Sequence, residues 1–169
     1  MRKIAFIKEY SLPIKKVMIH KEESGSVYLF GYDSVFDCPG LFDEWYETIE
    51  KAERVCQDVY GIGKNDWINI ADPLENCQQD FIMPVRVKGR EEDKPQWGHV
   101  QILLDGKWVS FMQPDKNQSL NGMTLKERLF MTGLAEEFDY AMWRDKSKAM
   151  KILKALRIDS CQIEKILRK

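Results

Sequence analysis

Short apolar runs separated by polar breaks dominate the first part of the chain. "KIAFIK" (residues 3–8), "IKKVMIH" (14–20) and "SVYLFGY" (26–32) are rich in β-branched and aromatic residues, a composition that suits a pleated, half-buried surface. Pro13 and Gly25 fall in the breaks, so three successive strands are predicted. "DCPG" (37–40) reads as a turn, with Pro39 fixing φ and Gly40 tolerating angles that other residues do not.

The period then changes. Phe42, Trp45, Ile49, Ala52, Cys56 and Val59 recur at three- and four-residue steps, which predicts one amphipathic helix over about 42–60. Asp43 and Glu44 would lie near its positive N-terminus, and Gly61 is a natural residue just past its end. Trp45 and Cys56 both belong to the inward stripe in this reading. Cys56 is therefore expected to act as a small buried hydrophobe.

Extended structure resumes at "DWINIADP" and continues in a strand over 80–88, where Pro84 points to an edge position or a bulge. "GREEDKPQWGH" (89–99) is a polar loop. "VQILLDGKWVSFM" (100–112) carries the clearest local signal, because Asp105-Gly106 suits a two-residue type I′ hairpin turn. That register pairs Leu104 with Lys107, Ile102 with Val109 and Val100 with Phe111 on one face. Leu103 with Trp108 and Gln101 with Ser110 occupy the other.

"QPDKNQSLNG" (113–122) has one apolar residue in ten and reads as a linker. Helical patterns fill the rest. Thr124 with Glu127 forms a capping box, and Leu134, Phe138 and Ala141 continue that helix's inner stripe. Asp145 caps a second helix bearing Ala149, Ile152, Leu153 and Leu156, and Asp159 with Gln162 repeats the capping-box pattern before a third bearing Ile163, Ile166 and Leu167. The fold class is thus α+β: an antiparallel sheet packed against one long helix, with a C-terminal helical tail of two to three short helices. The expected organisation is an α+β domain over 1–112, a linker over 113–122 and a tail over 123–169. So small a tail buries little area alone, so it should pack against the sheet or against a partner chain, including a second copy in a homo-oligomer.

Length and charge narrow the function. At 169 residues the chain suffices for one core or a domain with an appendage. With 26 basic and 27 acidic side chains, no global field favours nucleic acid or an anionic membrane. No stretch approaches the roughly 20 apolar residues of a membrane span, and the apolar opening is broken by Lys8 and Glu9 before it reaches the length of a secretion signal. A cytoplasmic location is expected. Cys38, Cys56, Cys77 and Cys161 form no CxxC pair and have only His20 and His99 beside them, so no structural metal is expected. No phosphate-binding loop, dinucleotide fingerprint or zinc-protease helix occurs, and no cofactor is expected.

Two places carry candidate chemistry. In "ENCQQD" (75–80), Cys77 would be a nucleophile if His20 or His99 served as base and Asp72 or Asp80 oriented it. Glu75 and Asp80 lie close in sequence, and carboxylates raise a thiol's pKa, so a turn with an inward-packed sulfur is the favoured reading. In "PVRVKGR" (84–90), Arg86, Lys88 and Arg90 alternate with Val85 and Val87, so the cations project from one sheet face. Such residues protect sheet edges. With Trp97 and Trp108 nearby they also match the composition of binding hot spots. Trp45 and Trp143 read as structural.

The stretches "YDSVFDCPG", "CQQDFIMPVRVKGR", "PQWG" and "LLDGKW" resemble segments of small bacterial proteins without assigned chemistry. Met123, Thr124, Glu127, Arg128 and Leu129, followed by Gly133 and Leu134, are similar to a recurring bacterial Met-Thr-x-x-Glu-Arg-Leu tail. The resemblance implies a bacterial origin and the company of toxin-immunity proteins. The expected function is a non-catalytic cytoplasmic protein-binding factor, immunity- or antitoxin-like. Its contact surface would be Arg86, Lys88, Arg90, Trp97 and Trp108, and its partner acidic on the contact face. The alternatives are a Cys77-dependent hydrolase or transferase and a single-stranded nucleic-acid binder.

Overall fold

The computed structural model describes residues 1–9, 11–111 and 119–168. The first three predicted strands form as β1 (Arg2–Phe6), β2 (Lys16–Lys21) and β3 (Val27–Tyr32). With β4 (Phe42–Tyr46) and β5 (Ile68–Ile70) they make an antiparallel sheet in the order β4-β3-β2-β1-β5. Each strand's two-residue period splits its apolar residues between two faces. Ala5, Val17, Ile19, Val27 and Leu29 meet Ala52, Cys56 and Trp67 on one side. Ile4, Met18, Tyr32, Ile68 and Ile70 meet the helical tail on the other.

β4 overturns the helix predicted over 42–60. Only α1 (Ile49–Tyr60) is helical, starting where the Thr48 side chain accepts from the Lys51 amide and ending at Gly61, φ 67°. The segment 42–46 satisfies both a helical and an alternating reading, and pairing with β3 decides for the strand. Phe42 lies opposite Gly31, where a side chain would stand 2.2 Å from its ring. Glycine there leaves the space that the ring fills. Asp43 and Glu44 consequently sit on an edge strand, not at a helix start, and Trp45 is 60% exposed rather than in the core.

The second sheet is small: β6 (Val85–Val87), β7 (Val100–Leu104) and β8 (Lys107–Ser110), in that order. The hairpin forms in the predicted register, with Asp105 at φ 49° and Gly106 at φ 73°. Phe81, Val85 and Ile102 make its core. The strand predicted over 80–88 is shorter, because the carbonyls of residues 79–82 are bonded instead by Arg2 and Tyr32 of the large sheet.

The helical tail comprises α2 (Leu125–Met131), α3 (Ala135–Arg144), α4 (Lys146–Ala155) and α5 (Ser160–Leu167). The helix expected to run on from Thr124 is divided at Gly133, whose φ of 75° no continuing helix allows. Leu129, Leu134, Phe138, Ile152, Leu153 and Leu156 share one buried cluster with Ile4 and Met18. The tail therefore packs on the sheet of its own chain. Most of the predicted linker, 113–118, lies outside the described residues, while its apolar member, Leu120, is buried. No helix among the described residues is long and apolar enough to cross a membrane.

Candidate functional site

The Cys77 segment is built as a turn. Asn76 takes φ 62°, and the Cys77 amide donates to Leu74 O at 3.0 Å. The Gln78 amide donates to Val85 O at 2.7 Å. Main-chain carbonyls thus accept from both of these amides. Cys77 packs inward, and burial raises its thiol, opposed by the positive charges of Arg86, Arg2 and Arg90. The expected cause, neighbouring carboxylates, is replaced by burial among arginines. Among the described residues no hydrogen bond joins Cys77 to either histidine. His20 is buried on β2, its Nδ1 has no hydrogen-bond partner among the described residues, and burial with the nearby Arg2 charge lowers its pKa.

The segment just after Cys77 is clamped by buried charges to which the sequence patterns assigned no role. Arg2 is buried, and its Nε donates to Ala71 O at 2.7 Å, while the guanidinium also reaches the carbonyls of Gln79, Phe81 and Ile82. The buried carboxylate of Asp37 accepts from the Ile82 and Met83 amides, both at 2.8 Å. Tyr32 donates its hydroxyl to Asp80 O at 2.6 Å, and Asp80 in turn accepts from the Gly40 amide at 2.9 Å. Lys16 has no exposed surface; its ammonium donates to Phe36 O at 2.8 Å and stands 4.4 Å from the centre of the Tyr32 ring.

Burial dominates the electrostatics of this cluster. It lowers Lys16 against the attraction of Asp37, and it raises Asp37 against Lys16 and the two amides. It also raises the Tyr32 phenol. Buried charges of this kind cost stability unless hydrogen-bonded and compensated, and here each is. The cluster fastens the connection between the two sheets. A signal for it was available: Arg2 is in phase with Ile4, and Lys16 with Met18, so alternation already placed both cations on a core-facing side. Asp37, in irregular chain, carries no such periodicity.

The predicted surface residues gather only in part. On β6, the Arg86 guanidinium lies 3.9 Å over the Trp108 ring, donates to Glu91 at 2.7 Å and reaches Gln101 at 3.3 Å. Arg86 and Trp108 thus form a packed, internally paired unit. The alternation ends at Gly89, φ 78°, where an added Cβ would stand 2.3 Å from Lys94 O. Arg90 therefore begins a short 3-10 turn instead of extending the strand face. Lys88 and Arg90 are exposed.

Trp97 stands at the tip of a tight turn. The Gln96 amide donates to Lys88 O at 2.8 Å, the Lys88 amide to His99 O at 2.9 Å and the His99 amide to Gln96 O at 3.0 Å. Gly98, third in that turn, has φ 85°, as a type II turn requires. Trp97 is 76% exposed on this fixed support. Trp143, read as structural, is 89% exposed near Tyr140 on α3. Among the described residues no group of three or more His, Cys, Asp or Glu could hold a metal ion. No protein-family model matches the chain, and neither a curated protein nor a solved structure does.

Proposed function

We propose that this chain is a non-catalytic, cytoplasmic protein-binding factor of the immunity or antitoxin kind, and that its contact surface is centred on Trp97. The observation that carries the reading is the exposure of Trp97 at the tip of a turn held by three backbone hydrogen bonds. A large ring already ordered on a rigid support loses little freedom on binding, and tryptophan is prominent among hot-spot residues. Lys88, Arg90 and Lys94 are exposed cations of the same loop that acidic groups of a partner would meet. Arg86 and Trp108, stacked and paired with each other and with Glu91, are held within the same small sheet.

The test is capture of partners from the source cell by the tagged protein, followed by Trp97→Ala. Recovery of a stoichiometric protein partner is expected, and Trp97→Ala should weaken its binding by about 30-fold, the equivalent of a hot-spot loss near 2 kcal/mol. Recovery of no partner, or full affinity in the variant, would overturn the reading.

A further inference from the structure

Away from Trp97, a cleft of about 440 Å³ opens between the large sheet and the tail, within the roughly 300–1,000 Å³ range of small-molecule sites. One wall is the end of β1 and the start of β5, with Phe6, Lys8, Asp66 and Ile68. The other is α4, whose Ser147, Met150, Lys151, Lys154 and Ala155 all line the space. Those positions follow i, i+3, i+4, i+7 and i+8, so one helical stripe faces the cleft, while Ala149, Ile152 and Leu153 face the core. Met150 is 39% exposed there. The floor is apolar, and it is open.

The charge of the rim is one-sided. Lys8, Lys151, Lys154 and Arg157 line it against a single carboxylate, Asp66. Asp66 is already engaged, accepting from Lys8 at 2.7 Å and from the Gly63 amide at 2.9 Å. The Lys151 ammonium makes one long bond, to Trp67 O at 3.4 Å, and its charge also acts on Asp66, while the Lys154 ammonium makes neither an ion pair nor a hydrogen bond among the described residues. The local sequence carries the same bias: residues 144–157 hold six basic side chains and one acidic one, although the whole chain is nearly neutral, and of the six Lys148 pairs with Glu137. Several ammonium groups sharing one carboxylate beside an apolar floor suit a ligand with an anionic head and an apolar body.

We infer that this cleft binds a small amphipathic organic anion, its acidic head held by Lys151 and Lys154 and its apolar body laid on Phe6, Ile68 and Met150. Carboxylate and phosphate heads share the required chemistry. The experiment is titration of the intact protein with octanoate, octyl phosphate and octanol, monitored by amide NMR shifts. Octanoate or octyl phosphate should move the amides of 6–8, 66–68 and 147–157 saturably and bind at least about tenfold more tightly than octanol; whichever binds more tightly identifies the head. In Lys151→Gln/Lys154→Gln, with its amide dispersion intact, that advantage should vanish. In Lys126→Gln/Lys165→Gln, which removes the same charge from outside the cleft, it should persist. Equal binding of octanol, shifts confined to other regions, no shift with either anion, or equal effects of the two double variants would overturn the inference.

Discussion

Cys56 lies wholly inside the layer between the large sheet and α1, and burial pushes its thiol from 9.0 up to about 12. Between those values the native protein keeps the proton that the unfolded chain releases. Stability therefore falls as pH rises, with this residue contributing about 1.4 kcal/mol per pH unit. Cys56→Ala, compared with the unaltered protein in urea unfolding from pH 9 to 11, should remove that component of the slope; identical slopes would contradict it. The burial of Cys56 was readable in the sequence because its neighbours on the stripe are close in the chain. The burial of Lys16 was readable from its alternation with Met18, whereas that of Asp37 was not, and the compensation of both depends on chain segments brought together only by folding. Cys77 shows the same limit in another form. Its sequence neighbours are carboxylates, but the charges that reach it in space are arginines from two other segments, Arg2 on β1 and Arg86 and Arg90 beyond the turn.

Thr124 and Glu127 form the predicted capping box at the start of α2: the Glu127 amide donates to Thr124 Oγ1, and the Thr124 amide donates to Glu127 Oε2 at 2.7 Å. Removing the hydroxyl leaves a helix-end amide without its partner, so Thr124→Ala should cost about 1 kcal/mol in urea unfolding and Thr124→Ser only a fraction of that. An unchanged midpoint in the alanine variant would show that the box contributes nothing. Elements of this kind were legible because their determinants are local. The Asp105-Gly106 hairpin and the Asp145 cap form as predicted, and at Asp159 the carboxylate accepts from the Gln162 amide, one half of the predicted capping box. The segment 42–46 was misread because its aromatic spacing fits two periods, and the deciding contact, Phe42 over Gly31, comes from a different strand. At the candidate surface the alternation of Arg86 and Lys88 was local and visible. The fixing of Trp97 was not, because it rests on backbone bonds between residues 88 and 99.

A boundary between a sheet domain and a helical tail was expected from the polar composition of 113–122, yet the largest apolar cluster crosses it. Composition reports that a connection is solvated; it does not report what the flanking elements bury against each other. Leu153 of α4 has no exposed surface and shares its cluster with Ile4 of β1 and Met18 of β2. If the two parts form one cooperative unit, damage in the tail must be felt in the central strands. Leu153→Ala should lower global stability by about 2–5 kcal/mol, as buried leucine truncations do. Amide exchange at Val17, Met18 and Ile19 should then quicken by the same free energy, because these β2 amides can open only when the whole molecule does. Urea curves recorded by helical circular dichroism and by tryptophan fluorescence should shift together. If the helical signal were lost first while β2 protection stayed unchanged, the tail would be a separately unfolding unit, and the shared cluster would not couple the two halves.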